Sequence, residues 1–115
     1  MKKFLKGFQY AFEGLAYAIS TQINMKFHIV VAIIVIAFGF IFQITEFEWL
    51  LIAFAIISVL SAELFNTALE ALTDLATKEI HPLAKIAKDT AAAAVLLISI
   101  LAICIGIYVF WKHIF

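Results

Sequence analysis

The sequence predicts an all-α integral membrane protein, with an N-terminal surface helix followed by three transmembrane helices. Three observations carry that expectation. Of 115 residues, 66% are hydrophobic and only 14% charged, with a mean hydropathy of +1.13, whereas a soluble domain is about half apolar and about a quarter charged. A chain this short cannot hide so much apolar surface from water, because the buried fraction falls with size. The apolar residues also form long runs without two-residue alternation, which argues against a β-barrel. One proline and four glycines leave little room for loops. The length suits one domain, residues 1–115. Eight lysines balance eight carboxylates, so a nucleic-acid binder with a broad basic face is excluded. Cys104 is the single cysteine, which excludes a disulfide framework and a cysteine-built zinc site.

Residues 2–20 are expected to lie in the membrane interface. Phe4, Leu5, Phe8, Phe12, Leu15 and Ile19 recur at helical spacing, and Lys2, Lys6, Gln9, Glu13, Tyr17 and Ser20 fill the complementary stripe. Gly7 and Gly14 fall on nearly the same side and suggest close approach by a neighbouring helix or a lipid. No cleavable signal is expected, since the first apolar run starts late and lacks a small-residue cleavage pattern.

The first expected span is 27–44, whose strongly polar members are His28 and Gln43. The second, 49–72, is uncharged from Trp49 to Ala62 and then continues through Glu63, Asn66 and Glu70. The third, 90–111, is the longest charge-free run, 22 residues from Thr90 to Trp111. At helical rise it reaches about 33 Å, enough for a hydrocarbon core of about 30 Å. His81-Pro82 marks a turn in the 73–90 loop, with Pro82 opening a short helix toward Lys88. Lys2, Lys3, Lys6 and Lys26 precede span one, and Lys78, Lys85 and Lys88 lie between spans two and three. The positive-inside rule therefore puts the N-terminus and the 73–90 loop in the cytoplasm and the C-terminus outside. Lys112 is the one contrary charge.

Ionisable groups inside a span are costly and point to function. At about 100° per residue, Glu63, Thr67, Glu70 and Asp74 fall within roughly 60° of one another, with Asn66 to one side. They form a graded stripe that runs to the cytoplasmic edge, where a membrane lipid meets a water-soluble reactant. Hydrogen-bonded glue between helices is the plainer reading, but glue needs one polar residue rather than a series. Several carboxylates together call for a cation, and oxygen-only ligands favour Mg²⁺ over zinc or copper. A second cluster is Lys78-Glu79-x-His81, Lys85 and Lys88-Asp89. Lys88 suits a phosphate, and Asp89 is expected to accept hydrogen bonds near a helix start. Lys78 and Lys85 read as a solvated positive-inside loop. A third cluster, Thr21-Gln22-x-Asn24-x-Lys26-x-His28, stands at the entrance to span one. From it Gln22 and Asn24 reach toward the acidic stripe, and His28 reads as an interface residue rather than a metal ligand. No P-loop, protein-kinase glycine loop, G-x-S-x-G or H-E-x-x-H is present, so any nucleotide is held without a P-loop.

Ala62-Glu63-Leu64-Phe65-Asn66-Thr67-Ala68-Leu69-Glu70-Ala71-Leu72-Thr73-Asp74, with His81-Pro82-Leu83-Ala84-Lys85-Ile86-Ala87-Lys88-Asp89, resembles the prokaryotic diacylglycerol kinase family. Phe12-Glu13-Gly14-Leu15 and Asn24-x-Lys26-x-His28 agree with the family's N-terminal part, and the His81–Ala84 stretch is similar to its undecaprenol kinase branch. The resemblance implies a homotrimer in the bacterial cytoplasmic membrane, with active sites shared between subunits. It also implies transfer of the γ-phosphoryl group of ATP to a lipid hydroxyl, of undecaprenol or otherwise diacylglycerol. By position, it implies Glu63 as the catalytic base with Asn66 in the same motif, and Glu70 as a metal ligand. It implies nucleotide contacts at Glu79, His81, Lys88 and Asp89, with Lys3 and Tyr10 as further candidates. Phe12, Gly14, Asn24 and Glu63 are the candidate lipid contacts. The family's other metal-binding glutamate is Gln22 here, an amide that brings an oxygen without a charge. Independently of family, three spans are expected to be too few to enclose the acidic stripe, so self-association through Ala68/Ala71 and Ala91–Ala94 is expected. A small ion- or proton-coupled transporter also uses intramembrane carboxylates, but here the acids gather toward one side rather than the midplane. A non-catalytic assembly subunit is the third reading.

Overall fold

The computed structural model describes residues 1–115 as four helices: α1 (Lys2–Thr21), α2 (Ile23–Ile41), α3 (Glu46–Ala76) and α4 (Pro82–Ile114). The last three are long and apolar enough to cross a membrane. Their ends differ from the apolar runs because hydrogen bonding, not hydropathy, decides where a helix stops. α1 and α2 are divided by one residue, Gln22, with extended backbone at φ −101° and ψ 116°. Its N–H closes α1 on the Ala18 carbonyl at 2.9 Å, and its own carbonyl accepts from Lys26 N–H at 3.2 Å to open α2. No proline or glycine marks that break.

The α2–α3 turn is tight. Gln43 adopts φ 51°, a left-handed conformation uncommon for a side chain of this kind. Thr45 then starts α3 with a reciprocal capping box: its N–H donates to Glu48 Oε1 at 2.9 Å, and Glu48 N–H donates to Thr45 Oγ1 at 3.2 Å. Such an arrangement satisfies two of the orphan donors of a helix start. The opposite turn is residues 77–81. His81 Nδ1 accepts from Leu83 N–H at 3.1 Å, and Pro82 occupies the first turn, where its missing N–H costs nothing. Two expectations are corrected here. The helix opened by Pro82 is not short but continues unbroken through the third span, and Asp89 lies two turns inside it rather than at its start. Asp89 instead pairs with Lys85 one turn earlier.

α3 is the central helix. α4 packs along its length in antiparallel fashion and α2 covers another side, while the backbones of α2 and α4 stay apart. Near the start of α3, Ile44, Ile52 and Val109 form a small buried cluster, with Trp49 and Phe42 against it. Gly39 is what lets α2 approach there, because a Cβ at that position would stand 2.5 Å from Trp49 Cη2. Fourteen of 115 residues are buried, and four of them are polar: Glu48, Glu63, Asn66 and Thr67. Large apolar side chains such as Phe54, Phe65, Leu96 and Leu97 point outward. Polar groups inside and hydrocarbon outside is the pattern a lipid solvent selects.

Candidate active site

The acidic stripe of α3 resolves into a ladder. Glu63 is 1% exposed, Asn66 6% and Thr67 8%, while Glu70 is half-buried and Asp74 exposed. The axial distance from Glu63 to Asp74 is about 16 Å. Thr67 Oγ1 donates to the Glu63 backbone carbonyl at 2.9 Å, a bond within the helix that leaves the Glu63 carboxylate free. Asn66 Nδ2 donates to Glu70 Oε1 at 3.3 Å. Two atoms on the buried rungs have no hydrogen-bond partner: Glu63 Oε2 and Asn66 Oδ1. The group facing Glu63 is His28 of α2, with Nε2 3.9 Å from Oε2. That separation is beyond a hydrogen bond. An unpartnered buried carboxylate oxygen is costly, and a site that accepts a proton or ligand keeps such an oxygen open.

Within one chain Glu63, Asn66 and Thr67 are buried, so three spans enclose only the upper half of the stripe. The other half, Glu70 and Asp74, stays partly or wholly open. Ala68 and Ala71 are exposed, Ala91 is buried, and Ala92–Ala94 are exposed.

The ladder descends into a polar cleft of about 560 Å³ at the α3–α4 turn, whose walls include Asp74, Lys78, Glu79, His81, Lys88 and Asp89. Lys88 Nζ reaches back from α4 to Asp74 Oδ1 at 2.7 Å, which ties the cleft to the foot of the ladder. Lys78 and Lys85, read from sequence as solvated loop charges, also line this cleft. That missed placement follows from the turn being only five residues long, which folds the start of α4 back over the end of α3.

Four of the candidate nucleotide residues, Glu79, His81, Lys88 and Asp89, therefore share one cleft. The other two, Lys3 and Tyr10, are exposed on α1, and no hydrogen bond or ion pair joins them to α3. Phe12 and Gly14 are also exposed on α1, and a Cβ at Gly14 would meet nothing within 4 Å. Asn24 is exposed. Gln22 is half-buried and donates to Thr21 Oγ1 at 3.4 Å, with no bond to Glu70.

No group of three His, Cys, Asp or Glu side chains is placed to hold a metal ion. What the ladder offers is the Glu70 carboxylate, which takes the Asn66 Nδ2 at 3.3 Å, and the unpartnered Oδ1 on the other side of that amide. Those are hard oxygen donors, and they fit Mg²⁺, which binds through one or two carboxylates and completes its shell with water and phosphate.

A family model described as "Prokaryotic diacylglycerol kinase" matches residues 9–110. The chain belongs to the prokaryotic diacylglycerol kinase family. It is similar to an "Undecaprenol kinase" of Bacillus subtilis (strain 168), 38% identical over 96% of this chain and 89% of that protein. It is also similar to a "Diacylglycerol kinase" of Synechocystis sp., 40% identical over 89% of this chain and 59% of that protein. A third relative, a "Diacylglycerol kinase" of Escherichia coli (strain K12), is 25% identical over 96% of this chain and 91% of its own length. The protein is thus a membrane lipid kinase, a phosphotransferase with an alcohol acceptor and ATP as co-substrate. A buried carboxylate, Glu63, and a polar cleft lie along one helix, α3.

Proposed function

We propose that the chain is an undecaprenol kinase of the bacterial cytoplasmic membrane, working with Mg²⁺ as a homotrimer, N-terminus and α3–α4 turn in the cytoplasm. The unpartnered, buried Glu63 Oε2 at the head of a ladder that descends to the Lys88 cleft is the observation that carries the mechanism. The lipid hydroxyl lies beside Glu63, whose carboxylate takes its proton as the oxygen attacks the γ-phosphorus. A new oxygen–phosphorus bond forms, the bond from the γ-phosphorus to the β,γ-bridging oxygen breaks, and ADP leaves. Lys88 neutralises phosphate charge while Glu79, His81 and Asp89 orient the nucleotide, joined by Lys3 and Tyr10 from α1. Phosphoryl transfer asks mainly for positioning and charge stabilisation, so no covalent nucleophile is required.

Glu70 would hold Mg²⁺ in this reading, with Gln22 as a further amide ligand. When bound, the ion supplies charge neutralisation on the phosphates. Phe12, Gly14 and Asn24 contact the lipid from α1 and the start of α2. Undecaprenol is favoured by the resemblance of His81–Ala84 to that branch and by the similarity to the Bacillus subtilis protein over 96% of the chain. The exposed alanines of α3 and α4 supply contact surfaces for a trimer. The test is a side-by-side transfer assay in bilayers with labelled ATP and undecaprenol, diacylglycerol or ceramide. Preferential labelling of undecaprenol is expected. Preference for diacylglycerol overturns the lipid assignment, and no product from any of the three in folded protein overturns the kinase chemistry.

A further inference from the structure

Glu63 is 1% exposed, so a proton that it takes from a substrate has no direct way out to water. Its neighbours along α3 do not offer one. Thr67 Oγ1 donates to the Glu63 backbone carbonyl at 2.9 Å, and Asn66 Nδ2 donates to Glu70 Oε1 at 3.3 Å. Asn66 is an amide and does not titrate, so it interrupts any acid–base chain between Glu63 and Glu70. Across the helix interface stands His28 of α2, its Nε2 3.9 Å from Glu63 Oε2 and its side chain 17% exposed. Glu63 is the ionisable group that α3 turns toward it. α4 lines the same pocket as His28 with Ser99, Ala102, Ile103 and Gly106, none of which titrates in the neutral range. The last two turns of α1 carry Tyr17 as their titratable side chain, and it is exposed. On α2 itself Lys26 is exposed, and Phe27 sets its ring edge-on to the imidazole with centroids 5.7 Å apart. His28 is about 8 Å along the axis from the Ile23 end of α2, the end that carries Gln22, Asn24 and Lys26. One titratable side chain therefore faces the buried carboxyl and still reaches the outside.

We infer that His28 serves the reaction through Glu63: it receives the proton that Glu63 has taken from the lipid hydroxyl and passes it out, restoring the base for the next turnover. The inference rests on the reading of Glu63 as the base and goes beyond it to the fate of the proton. Each transfer to an alcohol leaves one hydroxyl proton on the carboxylate, and a carboxylic acid cannot act as base again until it loses that proton. A neutral imidazole with its proton on Nδ1 turns the Nε2 lone pair toward Glu63 Oε2. Two acceptors with no proton between them form no hydrogen bond, which accounts for a pair that stands open at 3.9 Å. Protonation of Glu63 supplies the missing donor. Its O–H donates to Nε2, the O–H bond breaks as an N–H bond forms, and a carboxylate and an imidazolium remain. The imidazolium then gives a proton to water and returns to the neutral ring. A carboxylic acid is ordinarily stronger than imidazolium by about two pKa units, and histidine is the side chain that both takes and releases a proton near neutral pH.

A rapid-mixing transfer assay in bilayers tests this, with labelled ATP and undecaprenol or diacylglycerol, whichever is the better acceptor, and with first turnover and steady state read separately. In His28→Gln the first turnover should stay within a few-fold of wild type, because Glu63 starts ionised, while the steady-state rate should fall by about 10²-fold. The trace should therefore show a burst of about one lipid phosphate per active site. The KM for Mg-ATP should not move. His28→Ala removes the ring, and its steady-state rate should be restored in part by free imidazole but not by pyrrole, a ring of the same size without a basic nitrogen. This second variant guards against a glutamine that packs badly. Wild-type steady-state turnover in His28→Gln, or first turnover and steady state slowed alike, overturns the inference and leaves the kinase reading intact. Equal rescue by imidazole and pyrrole makes His28 a packing residue and also overturns it. Glu63→Gln should lose the burst as well, and a Glu63→Gln enzyme that keeps it overturns the base assignment on which the inference rests.

Discussion

The two buried glutamates of α3, one in its first turn and one just past its middle, are equally hidden, with Glu48 at 2% and Glu63 at 1% exposure. Their surroundings differ completely. Glu48 takes the Thr45 N–H at 2.9 Å, His113 Nε2 at 3.2 and 3.3 Å, and Lys112 Nζ at 3.2 Å. Glu63 has no hydrogen-bond partner on Oε2, and His28 stops at 3.9 Å. A carboxylate saturated by its own chain is a joint between helices, here the start of α3 and the end of α4. One left unsaturated has capacity for a proton from a substrate. Burial alone does not distinguish the two, whereas partner accounting does.

The comparison can be broken from the catalytic side first. Glu70→Gln removes the carboxylate that takes the Asn66 Nδ2 and should lower kcat/KM for Mg-ATP by roughly 10²-fold or more, since metal stabilisation of phosphoryl charge is worth several kcal/mol. Partial rescue by raised Mg²⁺ is expected in steady-state assays, and full activity at ordinary Mg²⁺ would remove Glu70 from the metal site. Lys88→Met should raise the KM for ATP by about tenfold, the worth of a hydrogen bond to a charged group. Its kcat should fall less, and an unchanged KM would leave Lys88 as a mere partner of Asp74.

Stability sharpens the contrast. Glu48→Ala should lower the melting temperature in detergent by several degrees, because the cap and both α4 partners are lost together. Glu63→Met should do the opposite, relieving an unsatisfied buried group worth about 1–3 kcal/mol. Parallel losses in the two variants would mean that Glu63 is a structural joint as well. The smallest expected effect is at Gln22. Glu at this position should shift the Mg²⁺ concentration for half-maximal activity down by a few-fold, since charge at short distance in a low-dielectric site strengthens the attraction. Superimposable titrations would show that position 22 is not a ligand and only hydrogen-bonds to Thr21.

The residues that local spacing could reveal were legible. Glu63, Asn66, Thr67 and Glu70 fall on one helical face by rotation alone, and the structure buries three of the four while half-burying Glu70. His81-Pro82 marks a helix start because the proline at N1 is a local signal. What spacing cannot reveal is pairing across 65 residues, as between Glu48 and His113, or the tie from Asp74 to Lys88. Lys112, which looked like a contrary charge from sequence, is neutralised by a carboxylate on another helix. The helix ends were also hidden, because an apolar run reports the membrane and not the hydrogen-bond ladder. The break at Gln22 carries no proline or glycine, and Asp89 reads as a helix start only if α4 is taken to begin with the charge-free run.

The most direct test of the account is the turnover of Glu63→Gln and Glu48→Gln measured together, in bilayers, with Mg-ATP and undecaprenol at saturation. A positioned general base contributes about 10²–10⁴-fold. Glu63→Gln should therefore lose kcat by that factor while folding as well as wild type, and Glu48→Gln should retain kcat to within a few-fold at temperatures below its melting point. A Glu63→Gln enzyme that turns over at the wild-type rate would contradict the account.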